Sequence, residues 1–141
     1  MIRVSALKTK QMIGLRSIAW VATALAILLA GCSSGERTYN LSGSVTYKGK
    51  PVPAGHIVFE PDTKSGNSGG PGFAKIKDGH YDTSILDGRG TVGGPHLITI
   101  HGLDGVPRGE LLNGIPLFQE YSTTADLPKK DGTQDFEVKP R

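Results

Sequence analysis

A chain of 141 residues has room for one small domain. Its formal charge of +3 is unevenly spread: four of the sixteen bases precede Cys32 and all thirteen acids follow it. From Cys32 onward, twelve bases face thirteen acids, a balance that excludes nucleic-acid binding through net positive charge.

The chain opens on Arg3, Lys8, Lys10 and Arg16, followed by an apolar run from Ile18 to Ala30. A basic start, a short apolar segment and small residues predict a cleaved signal peptide over residues 1–31. The run is shorter than the roughly 20 apolar residues that span a bilayer. Cys32 follows at once and is the only cysteine, so it has no internal disulfide partner. Leu29-Ala30-Gly31-Cys32 resembles the lipobox of bacterial lipoproteins, [LVI]-[AST]-[GA]-C. The resemblance implies cleavage before Cys32, diacylation of its thiol and acylation of the new amino terminus. The expected location is therefore outside the cytosol, lipid-anchored to a bacterial membrane, with the periplasmic or surface face of the outer membrane favoured. Each buried methylene adds about 0.8 kcal/mol, so several chains hold where one slips.

Residues 32–40 are small and polar and read as a tether. Leu41 to Lys48 then alternates, with Leu41, Gly43, Val45 and Tyr47 on one face, as a half-buried strand requires. Lys48-Gly49-Lys50-Pro51 turns the chain. A second strand runs from His56 to Glu60 and stops at Pro61, which lacks a ladder donor. Asp62 to Gly72 has loop composition, with four glycines and two serines. Phe73 to Ile85 predicts a hairpin turning at Asp78-Gly79, with Ile76 opposite Tyr81, Lys77 opposite His80 and Lys75 opposite Asp82. Pro95 to His101 is a β-branched strand, and Gly102 to Gly114 a long loop. Leu117 to Tyr121 and Gln134 to Lys139 close the set. No helical periodicity occurs, so the expectation is all-β: a small antiparallel sandwich of two sheets and about seven strands over residues 41–139.

Gly43, Val45, Tyr47, Gly49, Pro51, Val52, Ala54, Ile57 and Phe59 in GSVTYKGKPVPAGHIVFEP carry a second resemblance. The stretch resembles the opening of carboxypeptidase-regulatory-like, or transthyretin-like, β-sandwich domains. Asp78-Gly79-His80-Tyr81, Gly93-Gly94-Pro95-His96 and the ending at Phe136-Glu137-Val138 match later positions of that pattern. The resemblance implies a non-enzymatic module with no shared catalytic residues, serving structure or contact with protein or glycan.

Residues 66–72, GNSGGPG, resemble the nucleophile frame of trypsin-like proteases. Only 36 residues separate Cys32 from Ser68, counting Cys32 itself, too few for a β-barrel that would bring a histidine and an aspartate to it. Lys48-Gly49-Lys50 fails as a phosphate loop, because Gly43 is misplaced and Pro51 stands where a hydroxyl belongs. His56, His80, His96 and His101 lack zinc-motif spacing and read as surface residues. No catalytic residue, metal or cofactor is expected. The expected function is a lipid-anchored envelope protein with a structural or protein-interaction role. Its candidate binding loop holds Asp62, Asn67 and Ser68, and residues 102–114 form a second candidate. The alternative is a cell-surface glycan-binding module, for which Phe118 and Tyr121 are the aromatics placed to stack on a sugar. The expected partners are membrane lipid through Cys32 and an envelope protein or glycan.

Overall fold

The computed structural model describes residues 35–85 and 87–140. The predicted signal peptide and Cys32 lie outside the described residues. The described chain is all-β, with nine strands and one short 3-10 turn at Thr63–Ser65. In order these are β1 (Leu41–Tyr47), β2 (Lys50–Pro51), β3 (Ala54–Pro61), β4 (Gly72–Lys77), β5 (His80–Asp82), β6 (Gly94–Leu103), β7 (Tyr121–Leu127), β8 (Gly132–Thr133) and β9 (Phe136–Val138).

Local chemistry sets several of these elements. In β4 the burial alternates strictly, with Gly72, Ala74 and Ile76 inside and Phe73, Lys75 and Lys77 outside. The β4–β5 turn carries Asp78 at φ 50° and Gly79 at φ 79°, the positive values a two-residue hairpin needs. Ile76 pairs with Tyr81 and Lys77 with His80, as the turn chemistry predicts. The predicted Lys75–Asp82 pair does not form. Asp82 instead accepts from the amide and hydroxyl of Ser84, and Lys75 bonds Asp87 at 2.8 Å. An Asp two residues before a Ser satisfies itself locally at lower entropic cost than a reach across the sheet.

The strands form one hydrogen-bonded sheet in the order β2-β1-β5-β4-β3-β6-β7, with β8 and β9 both pairing β1. This corrects the expectation of two separate antiparallel sheets. The sheet curls into a half-barrel, and its end is closed by β8 and β9 running parallel to β1. The core lies inside the curl, where Phe59, Tyr81 and Phe136 stand 5.7–6.2 Å apart by ring centroid. Such tilted aromatic contacts add to what area burial alone provides. Gly43 makes the closure possible, because the carbonyl of Gln134 lies where its Cβ would be. That carbonyl accepts the Tyr81 hydroxyl at 2.6 Å.

The seventh strand departs from expectation. Residues 117–120 are not a strand, and β7 begins at Tyr121 and runs to Leu127. Its sequence, YSTTADL, buries only Leu127 fully, so the apolar alternation that signals a strand is nearly absent.

Candidate interaction surface

The predicted binding loop is organised as a structural clasp. Asp62 caps the 3-10 turn: Oδ1 accepts the Lys64 amide at 3.0 Å and Oδ2 the Ser65 hydroxyl at 2.6 Å. Chiefly through the Ser65 bond, its carboxyl is held below the usual range. Asn67 donates to the carbonyls of Gly93 at 3.0 Å and Pro95 at 2.7 Å, and its own Oδ1 accepts the Ser68 amide. The Asp62 amide also reaches Pro95, at 2.9 Å. Asp62 and Asn67 thus fasten the loop to the start of β6, and of the three candidates only Ser68 is left exposed on the surface.

The chain before β1 is fastened to the same region. Glu36 accepts the Gly70 amide at 2.8 Å and lies 3.5 Å from Arg89, while Tyr39 and Thr91 exchange backbone bonds. Residues 36–40, read as tether in the sequence, lie along the domain here.

The second candidate loop is built differently. Residues 104–117 expose Val106, Leu111, Leu112, Ile115 and Leu117, at 37% to 75% of their surface. Five exposed aliphatics on one loop are unusual for a polar surface. The loop is braced from inside by Asp104. Its Oδ1 accepts the amides of Val106 at 3.0 Å and Ile115 at 3.1 Å, and its Oδ2 accepts Arg108 at 2.8 Å. The Val106 amide, foremost, holds the Asp104 carboxyl below its ordinary range. Gly114, at φ 82°, clears the space that Asp104 Oδ1 occupies. Backbone bonds join Arg108 to Leu111 in both directions, and Gly105 to Asn113. The aliphatics are therefore carried on a shaped support, at the opposite end of ten-residue β6 from the Asn67 clasp, roughly 30 Å away.

The aromatics expected to stack on sugar, Phe118 and Tyr121, are partly buried and line one small cleft with Tyr47 and Glu120. Phe118 lies over Gly102 with its centroid 4.8 Å from Tyr47, and both Phe118 and Tyr121 pack against the core. The outer face of β1, β5, β4 and β3 is an open hollow of about 1510 Å³, lined by Ser44, His80, Lys75, Lys77 and His56 beside Phe73 and Val58. Four aspartates (Asp78, Asp82, Asp87 and Asp135) and two lysines line it, with Lys75 paired to Asp87.

One histidine departs from the surface reading. His96 is 1% exposed, and its Nδ1 sits 2.8 Å from the Gly94 carbonyl. A carbonyl only accepts, so Nδ1 carries the proton. Its Nε2 and the Thr91 hydroxyl are buried with no hydrogen-bond partner among the described residues. His56 and His101 are cross-strand neighbours, stacked at 4.4 Å with planes 20° apart. Burial, and then the His101 charge, lower the His56 pKa from its ordinary value. In-plane lone pairs of stacked rings run side by side and do not converge on an ion. Among the described residues no group of three metal-ligating side chains occurs.

Comparison with protein-family models, with curated proteins and with solved structures returned no match for this chain.

Proposed function

We propose that the protein is an exported, lipid-anchored envelope protein whose domain works by contact, with the 104–117 loop as its contact surface. The carrying observation is that loop: five exposed aliphatics on a support braced by the Asp104 carboxylate and by backbone bonds joining Arg108 to Leu111 and Gly105 to Asn113. Exposed apolar surface on a pre-organised support is what protein recognition uses, because little ordering entropy remains to be lost on binding. A protein partner fits better than a membrane surface. The loop's one base, Arg108, is tied to Asp104, so no free cation is offered to anionic headgroups.

The anchor half of the reading rests on Leu29-Ala30-Gly31-Cys32 and on the solitary cysteine. The fold half takes the curled sheet as a compact relative of the transthyretin-like sandwich. Its support is that β1, β3, the Asp78-Gly79 hairpin and β6 fall on the residues that carry the resemblance.

Two experiments test the two halves separately. Labelling cells with a fatty acid marks the native chain and spares Cys32→Ser; equal labelling of both removes the anchor. A photo-crosslinker placed at residue 112 in cells captures one discrete protein band, while one placed at exposed Lys77 does not. Equal capture at both positions, or none at residue 112, removes the loop from its role.

A further inference from the structure

We propose that β7 pairs antiparallel with the β7 of a second copy of this chain, joining two curled sheets into one across a twofold axis at Thr124.

The observation is an open edge of unusual composition. β7 ends the sheet, paired with β6 alone, and among the described residues no other hydrogen bond involves residues 121–127. An exposed edge offers a row of backbone donors and acceptors to any strand that fits, and folded proteins blunt such edges with lysine, proline, bulges or short length. The rest of this sheet follows that practice. β2 is two residues, Lys50-Pro51, and β9 is three residues followed by Lys139-Pro140. β7 is seven residues long with no lysine, arginine, proline or glycine, and three of its residues are Ser or Thr.

The strand is complementary to itself in one orientation. Pairing centred on Thr124 sets Thr124 against Thr124, Ser122 against Asp126, Thr123 against Ala125 and Tyr121 against Leu127. On the exposed face this gives a Thr–Thr pair flanked by two hydroxyl–carboxylate pairs, combinations that stabilise antiparallel neighbours. On the inner face, Tyr121 and Ala125 form the partly buried margin of the core, which a second strand would cover. Charge decides the direction. Glu120 precedes the strand, and Lys129 and Lys130 follow it, both exposed and in no salt bridge among the described residues. Antiparallel pairing brings Glu120 of one protomer beside Lys129 and Lys130 of the other at both ends. Parallel pairing would set like against like at each of these positions. An interface built on one strand is small, so association in the micromolar range is expected.

The test is cysteine cross-linking of the full chain in detergent, in a Cys32→Ser background that removes the native thiol. Thr124→Cys places two thiols opposite each other, within the Cα separation a disulfide accepts, and should form dimers at least about tenfold faster than Ser122→Cys. The Ser122→Cys/Asp126→Cys pair should link as fast as Thr124→Cys. Glu120→Lys should slow linking at 124 by about two- to fivefold, and adding Lys129→Glu and Lys130→Glu should restore it. Circular dichroism of each variant confirms that it is folded. Linking at 122 equal to that at 124, no linking at 124, or no response to charge reversal overturns the proposal.

Discussion

Asn67 reaches out of the glycine-rich 62–72 loop to the carbonyl of Pro95, 2.7 Å away, and to that of Gly93 beside it. The Gly93 carbonyl depends on this one amide, whereas that of Pro95 also accepts the Asp62 N–H. Asn67→Ala should therefore cost about 1–3 kcal/mol, chiefly from leaving the Gly93 carbonyl unpaired. Asn67→Asp should cost more, because it turns acceptors toward acceptors. Ser68→Ala, one residue on and exposed, should stay within about 0.5 kcal/mol of the native chain. Urea unfolding of the three variants checks this ranking, and equal midpoints for Asn67→Ala and Ser68→Ala would refute it.

The closure of the curl predicts a second set of effects. Gly43→Ala drives a methyl into the Gln134 carbonyl, which is backbone and cannot swing aside. A loss of about 1–3 kcal/mol is expected, as for other overpacked sites. Tyr81→Phe removes only the hydroxyl donated to the same carbonyl and should cost about 1 kcal/mol. Because both changes act on one contact, the double variant should lose less than their sum. Strict additivity in denaturant titration would argue against a shared contact.

Acid should loosen the His56–His101 pair before it affects the carboxylates. The His56 pKa is lowered on folding, so the unfolded chain binds the proton more tightly. Stability is then full above the ordinary histidine value near 6.5 and falls as pH drops from there toward the lowered folded value. Lys75, across from His56 on β4, is ion-paired with Asp87, and Glu120 lies 3.3 Å from His101 Nε2. The lowered aspartates, Asp62, Asp82, Asp104 and Asp135, act in a separate window. Their contribution is present above about pH 4 and lost below it. Urea midpoints at pH 7.5 and 5.5 should differ for the native chain and converge for His56→Gln. An unchanged difference in His56→Gln would place the acid sensitivity elsewhere.

The contact loop makes a fourth prediction. Leu111→Ser with Leu112→Ser should abolish partner capture while changing stability by no more than about 0.5 kcal/mol per site, since both side chains are exposed. Asp104→Ala leaves every aliphatic in place but removes their brace. It should weaken capture and speed hydrogen exchange at the Val106 and Ile115 amides by roughly tenfold or more. Unchanged exchange at those amides would show that the loop is held by other means.

Much of the fold was legible wherever one short stretch carries its own instruction. Asp78-Gly79 requires positive φ, so the hairpin and its Ile76–Tyr81 register follow from the local sequence. The alternation Leu41, Val45 in β1 and Ile57, Phe59 in β3 marks strands with one buried face. β7 was missed because its neighbours, not its own side chains, make it a strand: β6 supplies the ladder, and only Leu127 of the seven residues is fully buried. His96 was misread for a related reason. Its burial depends on the Gly94 carbonyl satisfying Nδ1, a bond that residue type alone does not announce. Of the site, the glycines announced a loop over 102–114, whereas β6 runs to Leu103 and two of the exposed aliphatics, Ile115 and Leu117, lie beyond Gly114. The role of Asp104 could not be read there, since its amide partners lie two and eleven residues away.

By itself the sequence determined the all-β class, the hairpin and the positions of most strands, because turn dihedrals and period-two burial are properties of a few adjacent residues. Tertiary structure decided that the strands join in one curled sheet closed by β8 and β9 running parallel to β1. It also decided that Asn67 clasps where it was expected to bind, and that the aliphatics of 104–117 stand on a braced support. Each of these depends on carbonyls, amides and charges brought together from distant parts of the chain, and the free energy of such contacts exists only once the core has formed.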